Sequence, residues 1–384
     1  MKVLHLISSP EMGGIEVWLL ELLRYAHSGE VEMDVCFKGN PVGTLAEEYE
    51  ALPVTIHHCK LGYNPFGFAK RLAKILREGN YDLLHSHLNM HCGVAGLAGK
   101  MAGIKVITSL HSSRPVRKTD VDRHPLPIRL VSSIYRRISF FVADRTTALY
   151  APVSDGVAES RFGTGFANRE NVRVIYLGVK EPKIIDAEAI ENLRGSLDGL
   201  DAQKIVLHVG SFTDQKNHSG LIEIFSRLIG REPNCKLLLA GDGPLRVQIE
   251  TQVNKIGIES NVLFLGRRND VTNLMQLADV FLLPSLYEGL PLALVEAAAC
   301  RLPIVASRIP GIVEAVEHNK SGFLYDVTDQ NGMVDALLRL LQEPETQQRT
   351  AEQARHFFET EFSMSSHFKR LTENYRSVMN GPEA

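Results

Sequence analysis

The chain has 384 residues, 44% of them apolar and 23% charged, with a formal net charge of −3. That length is too great for one ordinary core and suits two domains, and the composition excludes a disordered chain. No apolar run approaches the roughly 20 residues of a membrane-spanning helix, and the overall charge leaves no nucleic-acid footprint.

The charge is unevenly placed. Residues 1–180 carry 22 Lys and Arg against 17 Asp and Glu, whereas residues 181–384 carry 20 against 28. A basic front half favours an anionic surface or substrate. The five cysteines (36, 59, 92, 235 and 300) are scattered without C-x-x-C spacing. Neither a disulfide framework nor a zinc site is expected, which favours the cytoplasm.

In chain order, Lys2–Ser8 is expected as a strand; its apolar run is too short for a signal peptide. The loop Pro10-Glu11-Met12-Gly13-Gly14-Ile15-Glu16 follows and opens a helix over Ile15–His27. Glycines there let backbone N–H groups approach a phosphate, although a bare turn explains them equally well. The loop is not G-x-G-x-x-G, which disfavours a dehydrogenase. Strands are expected at Met33–Phe37, Asp82–His85, Lys105–Leu110 and Val172–Ile175, with a helix over Phe66–Glu78. His85 and His87 share one strand face; with no carboxylate or cysteine cluster beside them, packing or acceptor-side roles are favoured over metal binding. His111 ends the strand that finishes at Leu110.

Residues 114–145 carry eight Lys and Arg against three Asp and Glu. Ile128, Val131, Ile134, Tyr135, Ile138, Phe141 and Val142 form one helical stripe, with Arg129, Arg136 and Arg137 off it. The stripe is read as core-facing, with peripheral contact at an anionic membrane as the alternative. Leu177–Ala187, polar and without periodicity, is the expected hinge.

The second half repeats the alternation. Strands are expected near Ile205–Val209, Lys236–Ala240, Val262–Leu265, Val280–Leu283 and Ile304–Ala306. Helices are expected near Leu221–Ile229, Leu245–Ile256, Leu292–Cys300 and Val334–Leu341. Such alternation predicts an α/β chain with parallel sheets, arranged as two Rossmann-like domains facing across a cleft. The domains are expected at 1–180 and 181–360, with a C-terminal helix in 361–384 returning toward the first. Ligands of open α/β sheets sit beyond the carboxyl ends of the strands, and the unusual residues fall in those loops.

The most informative loop is Leu283-Pro-Ser-Leu-Tyr-Glu288-Gly289-Leu290-Pro291-Leu292-Ala-Leu-Val-Glu296-Ala. Pro291 stands where a helix should begin, a position that suits its fixed φ. The free N–H groups of that helix start favour a diphosphate. Glu288 before the helix and Glu296 in its second turn could accept hydroxyls on both sides of it, roughly 10 Å apart. An ordinary helix with two polar-face carboxylates is the competing reading. Upstream, Val209-Gly210-Ser211-Phe212-Thr213-Asp214-Gln215-Lys216 closes a strand and places Lys216 to meet charge developing on a leaving phosphate.

The segment E-G-L-P-L-A-L-V-E-A, with Glu288 and Glu296 eight residues apart, resembles the signature of family-4 glycosyltransferases, retaining enzymes of the GT-B fold. The resemblance covers nearly the whole chain. It implies that Glu288 contacts donor sugar hydroxyls and Glu296 the ribose hydroxyls. It places Gly13 and Gly14 in a glycine loop near the donor diphosphate, and His111 at a strand end that contacts the donor sugar. Gly241 and Gly243, in Gly241-Asp242-Gly243-Pro244, match the family's G-x-G turn. Arg268, in Leu265-Gly266-Arg267-Arg268-Asn269-Asp270, matches the loop against the nucleotide base, where it could stack, bind phosphate or face solvent. The loop Pro310–Glu314 resembles one near the sugar pocket. The family usually has an arginine where Ser211 stands, so a phosphate clamp is missing or Arg308 replaces it. Asp120-Val121-Asp122 reads as D-x-D, the metal motif of another glycosyltransferase fold; among basic residues it is expected as a solvated loop, and no catalytic metal is expected.

The resemblance implies a metal-independent hexosyl- or N-acetylhexosaminyltransferase without a cofactor, its donor a UDP-sugar in preference to a GDP-sugar. The acceptor is a glycan or a lipid-linked glycan of surface polysaccharide synthesis, with the protein cytoplasmic or peripheral at the membrane. Two alternatives stand beside this reading: a sugar-nucleotide 2-epimerase of the same architecture, and a non-catalytic sugar-nucleotide-binding subunit.

Overall fold

The computed structural model describes residues 1–11, 13–26, 30–40, 42–112, 126–197, 200 and 204–381, with the backbone alone for 126–130. Asp120, Asp122 and the basic run 114–123 lie outside the described residues, as do Met12, His27 and the side chain of Ile128. The chain divides into two compact units, Met1–Gly178 with Met364–Ala384, and Val179–Ser363.

Unit 1 runs β1 (Lys2–Ile7), α1 (Gly14–Ala26), β2 (Glu32–Phe37), α2 (Ala46–Glu50), β3 (Ile56–His58), α3 (Pro65–Glu78), β4 (Leu83–Ser86), α4 (Cys92–Ala102), β5 (Lys105–Leu110), α5 (Leu126–Thr146), β6 (Leu149–Pro152) and α6 (Asp155–Phe162). The long C-terminal helix Met364–Asn380 belongs to the same unit. The strands form one parallel sheet in the order β3-β2-β1-β4-β5-β6. The direction of winding reverses between β1 and β4, and a ligand crevice is expected beyond the strand ends at such a point.

Unit 2 runs α7 (Ala187–Gly195), β7 (Lys204–Val209), α8 (His218–Ile229), β8 (Cys235–Ala240), α9 (Arg246–Ile256), β9 (Val262–Gly266), α10 (Val271–Leu277), β10 (Val280–Leu283), α11 (Leu292–Ala299), β11 (Ile304–Ser307), β12 (Phe323–Tyr325), α12 (Gln330–Gln342) and α13 (Pro344–Phe357). Its parallel sheet has the order β12-β11-β10-β7-β8-β9, so winding reverses between β7 and β10. Helices on the sheet seal a core that includes Phe212, Phe225, Leu237, Leu282 and Leu337.

Three sequence expectations need correction. Val172–Ile175 does not complete a strand: the stretch from Asn171 to Ile175 runs parallel to the edge strand β6 and shares three backbone hydrogen bonds with it, but only one residue pair, Tyr150 and Val172, is bridged. The helix α4 had no sequence signal, since Gly93, Gly96 and Gly99 dilute its apolar face. Those glycines let α5 come close: a Cβ on Gly93 would stand 2.1 Å from the Ser139 carbonyl oxygen, and one on Gly96 would stand 2.0 Å from Thr146 Oγ1. Finally, the α5 stripe is core-facing only in part: Tyr135 packs against the core with its hydroxyl 2.7 Å from His91 Nδ1, and most of the rest faces outward. Ser139 and Ala143 make the buried face, while Val131, Ile134, Ile138 and Phe141 are 66, 49, 57 and 57% exposed. Among the described residues no helix is long and apolar enough to cross a membrane.

Candidate functional site

The loops leaving β7 and β10 flank the reversal point of unit 2, and they are tied to each other. Leu286 N–H donates to the Gln215 carbonyl at 2.8 Å, and Asn217 Nδ2 donates to the Pro284 carbonyl at 3.0 Å. Asn217 itself adopts a left-handed backbone and caps α8 by accepting from Gly220 N–H. This bracing points the side chains of one loop at the other. Lys216 Nζ donates to Glu288 Oε1 at 2.7 Å, and Gln215 Nε2 donates to Glu288 Oε2 at 2.8 Å. Glu288 is only 5% exposed and Lys216 14% by side chain, so this is a buried ion pair. Both carboxylate oxygens have a donor, which such a charge requires out of water.

Below Lys216 lie two histidines that sequence reasoning passed over. His208 on β7 donates from Nδ1 to the Leu282 carbonyl at 2.8 Å, and its ring packs edge-on to His218, which stacks on Phe212. Burial holds both rings neutral, with His218 lowered to about 4 and His208 well below the usual value; Lys216 adds to both effects. Gly210 is needed for this packing: a Cβ there would lie 3.2 Å from His208 Nε2 and from the Lys216 stem.

Pro291 is the N-cap of α11 and offers no side-chain acceptor to the helix's first N–H groups. That uncapped start, beside Lys216, is suited to an anion. Glu296, in the second turn, is half-buried and has no hydrogen-bond or ion-pair partner among the described residues. Burial pushes its carboxyl up to about 7, and the Cys300 thiol one turn later is pushed up to about 12 by burial and then by Glu296. An unpaired carboxylate held in a helix near a candidate anion site awaits donors from a ligand.

The glycines have a packing explanation of their own. Gly241, with φ of 145°, would carry a Cβ 2.0 Å from the Gly210 carbonyl oxygen, and Gly243 one 2.7 Å from that of Phe212. Phe212 N–H donates to the Asp242 carbonyl and Gly241 N–H to the Gly266 carbonyl, so the loops after β7, β8 and β9 interlock. Gly311, at φ of 83°, backs onto Gly289 in the same way, and Glu314 accepts from Gly311 N–H within its own loop. Leu290 and Pro291 are buried and Leu292 is half-buried. Ser211 is exposed. The exposed Arg308 donates from its guanidinium to the Leu324 carbonyl at 2.8 Å. Arg268 is clasped by Asp270 through two bonds of 2.8 and 2.6 Å, a pairing that holds the Asp270 carboxyl below its usual range.

In unit 1 the corresponding reversal lies between β1 and β4. The Gly13–Gly14 loop follows β1, with Gly13 half-buried and Gly14 exposed at the start of α1. His87 follows β4 and donates to, or accepts from, His111 at 3.0 Å across the end of β5. His5 was not singled out in the sequence, yet parallel register sets it beside His85. His5, His85 and His87 have ring nitrogens within 4.8 Å of one another. Both nitrogens of His85 are already bonded, to Tyr375 Oη at 2.6 Å and to Ser109 Oγ at 2.8 Å, and no carboxylate joins the group. The rings are therefore matched to one another and to hydroxyls.

Two family models cover most of the chain: Glycosyltransferase Family 4 matches residues 12–181 and Glycosyl transferases group 1 matches residues 190–357. The putative glycosyltransferase EpsF of Bacillus subtilis (strain 168) is 33% identical over 80% of this chain and 79% of its own length. An Escherichia coli UDP-Gal:alpha-D-GlcNAc-diphosphoundecaprenol alpha-1,3-galactosyltransferase is 29% identical over 70% of this chain and 68% of its own. In fold, the Anabaena protein HepE, solved in complex with UDP-glucose, superposes with a TM-score of 0.78 at 22% identity, covering 98% of this chain and 100% of that one.

Proposed function

We propose a donor, a reaction and an acceptor class for this chain, which belongs to glycosyltransferase family 4. The donor is a UDP-sugar, the sugar a hexose or N-acetylhexosamine, and the acceptor a glycan or lipid-linked glycan of surface polysaccharide synthesis. The observation that carries the reading is the Lys216–Glu288–Gln215 cluster beside the uncapped start of α11, at the reversal point of unit 2. The UDP-Gal in the name of the E. coli relative and the UDP-glucose bound to HepE support a UDP-sugar.

In this reading the α11 N–H groups and Lys216 hold the diphosphate, and Glu288 both positions Lys216 and accepts a sugar hydroxyl. Gly289, Leu290, Pro291 and Leu292 form the backbone against the diphosphate, and Glu296 accepts the ribose hydroxyls. Gly210, Ser211, Gly241 and Gly243 shape the floor, with Arg268 beside the base. Within unit 1, Gly13, Gly14 and His111 stand at strand ends, where a ligand of that sheet is expected. The bond from the anomeric carbon to phosphate oxygen loosens toward an oxocarbenium-like state, and the electron pair leaves with the diphosphate. The acceptor oxygen bonds to that carbon on the same face while its proton passes to the departing diphosphate. Charge stabilisation by the helix start and Lys216 carries the step, and no metal is assigned a part.

A thermal-shift panel of nucleotides and nucleotide-sugars tests the donor, because a ligand of the folded state raises the midpoint with concentration over affinity. UDP and a UDP-sugar are expected to stabilise and GDP to do so less; a flat panel removes the reading. The exposure of Ser211 keeps a binding subunit as the rival, which donor binding with neither transfer nor hydrolysis would favour. An epimerised UDP-sugar formed without acceptor would instead favour the epimerase.

The exposed α5 stripe fits a lipid-linked acceptor. Val131, Ile134, Ile138 and Phe141 face solvent, exposed Arg137 lies beside them, and the Arg145 guanidinium sits 3.5 Å from the Phe141 ring centre. An apolar stripe edged by cations lies on an anionic membrane surface. The chain should co-sediment with phosphatidylglycerol-containing liposomes at low salt, and the pair Ile134→Ser with Ile138→Ser should abolish this. Absence of wild-type binding at low salt ends the membrane assignment.

A further inference from the structure

Six side chains of unit 1 form a continuous hydrogen-bonded row, of which the reading above uses only His111. From the outside inward, His111 Nε2 lies 3.0 Å from His87 Nδ1, and His87 Nε2 lies 3.0 Å from His5 Nδ1. His5 Nε2 is 3.5 Å from Tyr375 Oη, which is 2.6 Å from His85 Nδ1, and His85 Nε2 ends the row 2.8 Å from Ser109 Oγ. His5 and Tyr375 are fully buried, and His85 and His87 nearly so. Burial holds the four rings neutral, with His5 and His111 lowered to about 3 and the other two well below the usual value.

A neutral imidazole has one N–H and one lone pair, so each ring must donate on one side and accept on the other. The Tyr375 hydroxyl can also accept from both neighbours, but where it donates within the row the row takes one of two arrangements, all links pointing inward or all pointing outward. Two observations select the inward one. The link of 2.6 Å joins a phenol to an imidazole, and the phenol is much the stronger acid, so Tyr375 donates to His85. At the other end, His111 Nδ1 is buried and has no partner among the described residues. An empty lone pair there costs less than an orphaned N–H. Inward polarity puts the proton of His111 on Nε2 and leaves Nδ1 bare.

We propose that His87, His5 and Tyr375 are positioning residues that hold His111 as its Nε2–H tautomer, so that its Nδ1, covered in the unliganded chain, offers a lone pair to a hydroxyl of a ligand that reaches the β5 end. The ligand clause rests on the reading of His111 as a site residue; the tautomer clause does not. The row thus sets, from the interior, which kind of group the strand end can recognise: a hydroxyl that donates is accepted, and a carbonyl or phosphate oxygen is not.

The test is a long-range proton–nitrogen correlation spectrum of the full chain labelled with ¹⁵N-histidine, unliganded and near neutral pH, with His111 assigned by its loss in His111→Gln. His111 should show a protonated Nε2 and a bare Nδ1. In Tyr375→Phe the donor to His85 and the acceptor of His5 both vanish; inward polarity then orphans an N–H on His5 and outward polarity one on His111, so the bias is lost and His111 should become a mixture of the Nε2–H and Nδ1–H forms. If the transfer reading also holds, Tyr375→Phe lowers turnover by up to about tenfold, the equivalent of one neutral hydrogen bond. A His111 protonated at Nδ1 in the wild type overturns the proposal, and so does an unchanged tautomer in a folded Tyr375→Phe. Should that variant not fold, the wild-type spectrum decides alone. Loss of all transfer activity with the expected tautomer would sink the proposed function and leave the row intact.

Discussion

Glu288→Gln is expected to cut transfer by about 10²- to 10³-fold, the range found when one preorganised charge-stabilising contact is removed from an active site. The carboxylate is 5% exposed and has Lys216 on one oxygen and Gln215 on the other. Glutamine keeps the shape and can still turn its oxygen to Lys216, with its nitrogen toward a flipped Gln215 amide, but it removes the charge that anchors the ammonium. Lys216 then leaves its place against the diphosphate, on a flexible stem whose head is 14% exposed and able to find water. Stability should therefore fall much less than turnover. Lys216→Ala should show the same loss of turnover with a larger loss of stability, since it strips the cation from a buried carboxylate. Single-turnover transfer measured beside the thermal midpoint separates the two effects. Unchanged rates in both variants would remove the proposed site.

The sheets and the Glu288 loop were legible in the sequence for one physical reason. Parallel strands buried on both faces read as short apolar runs, and the loops at their carboxyl ends carry the residues that break the pattern. The three-residue edge strands Ile56–His58 and Phe323–Tyr325 carry too few residues to show a period, and neither was expected. What could not be read was whatever depends on which strands are neighbours. Gln215 reaches Glu288 because β7 adjoins β10, 73 positions later in the chain. His5 meets His85 through the register of β1 on β4, and Tyr375 reaches both from the last helix. The α5 stripe shows the opposite failure. Its period was evident, but only the packing of Ser139 and Ala143 against α4 reveals that most of the stripe faces outward.

Glu296→Gln is expected to trade function for stability, in a way that pH exposes. The folded-state carboxyl is raised from 4.5 to about 7 by burial. Below about pH 4.5 the group is protonated in both folded and unfolded chains and contributes no difference. Between there and about 7 the unfolded chain ionises while the folded chain keeps its proton, so folding stability declines as pH rises. Above 7 the full cost of a half-buried, unpaired carboxylate is present, on the order of 3 kcal/mol from the size of the shift. Glutamine never ionises, so the variant should match the wild type at pH 4.5 and melt at a higher temperature at pH 8. The same unpaired charge is what ribose hydroxyls would satisfy, and hydrogen bonds to a charged acceptor are worth about 1.5–3 kcal/mol. Donor affinity should therefore drop about 10- to 100-fold in the variant. In the wild type it should weaken as pH falls below about 7, where binding must first displace a proton, and in Glu296→Gln that dependence should vanish. Calorimetric titration of a UDP-sugar, whose diphosphate has no group titrating in this range, at pH 5.5 and pH 8 reads both. A variant no more stable at pH 8, or a wild-type affinity indifferent to pH, would mean that Glu296 meets neither the desolvation nor the ligand assigned to it.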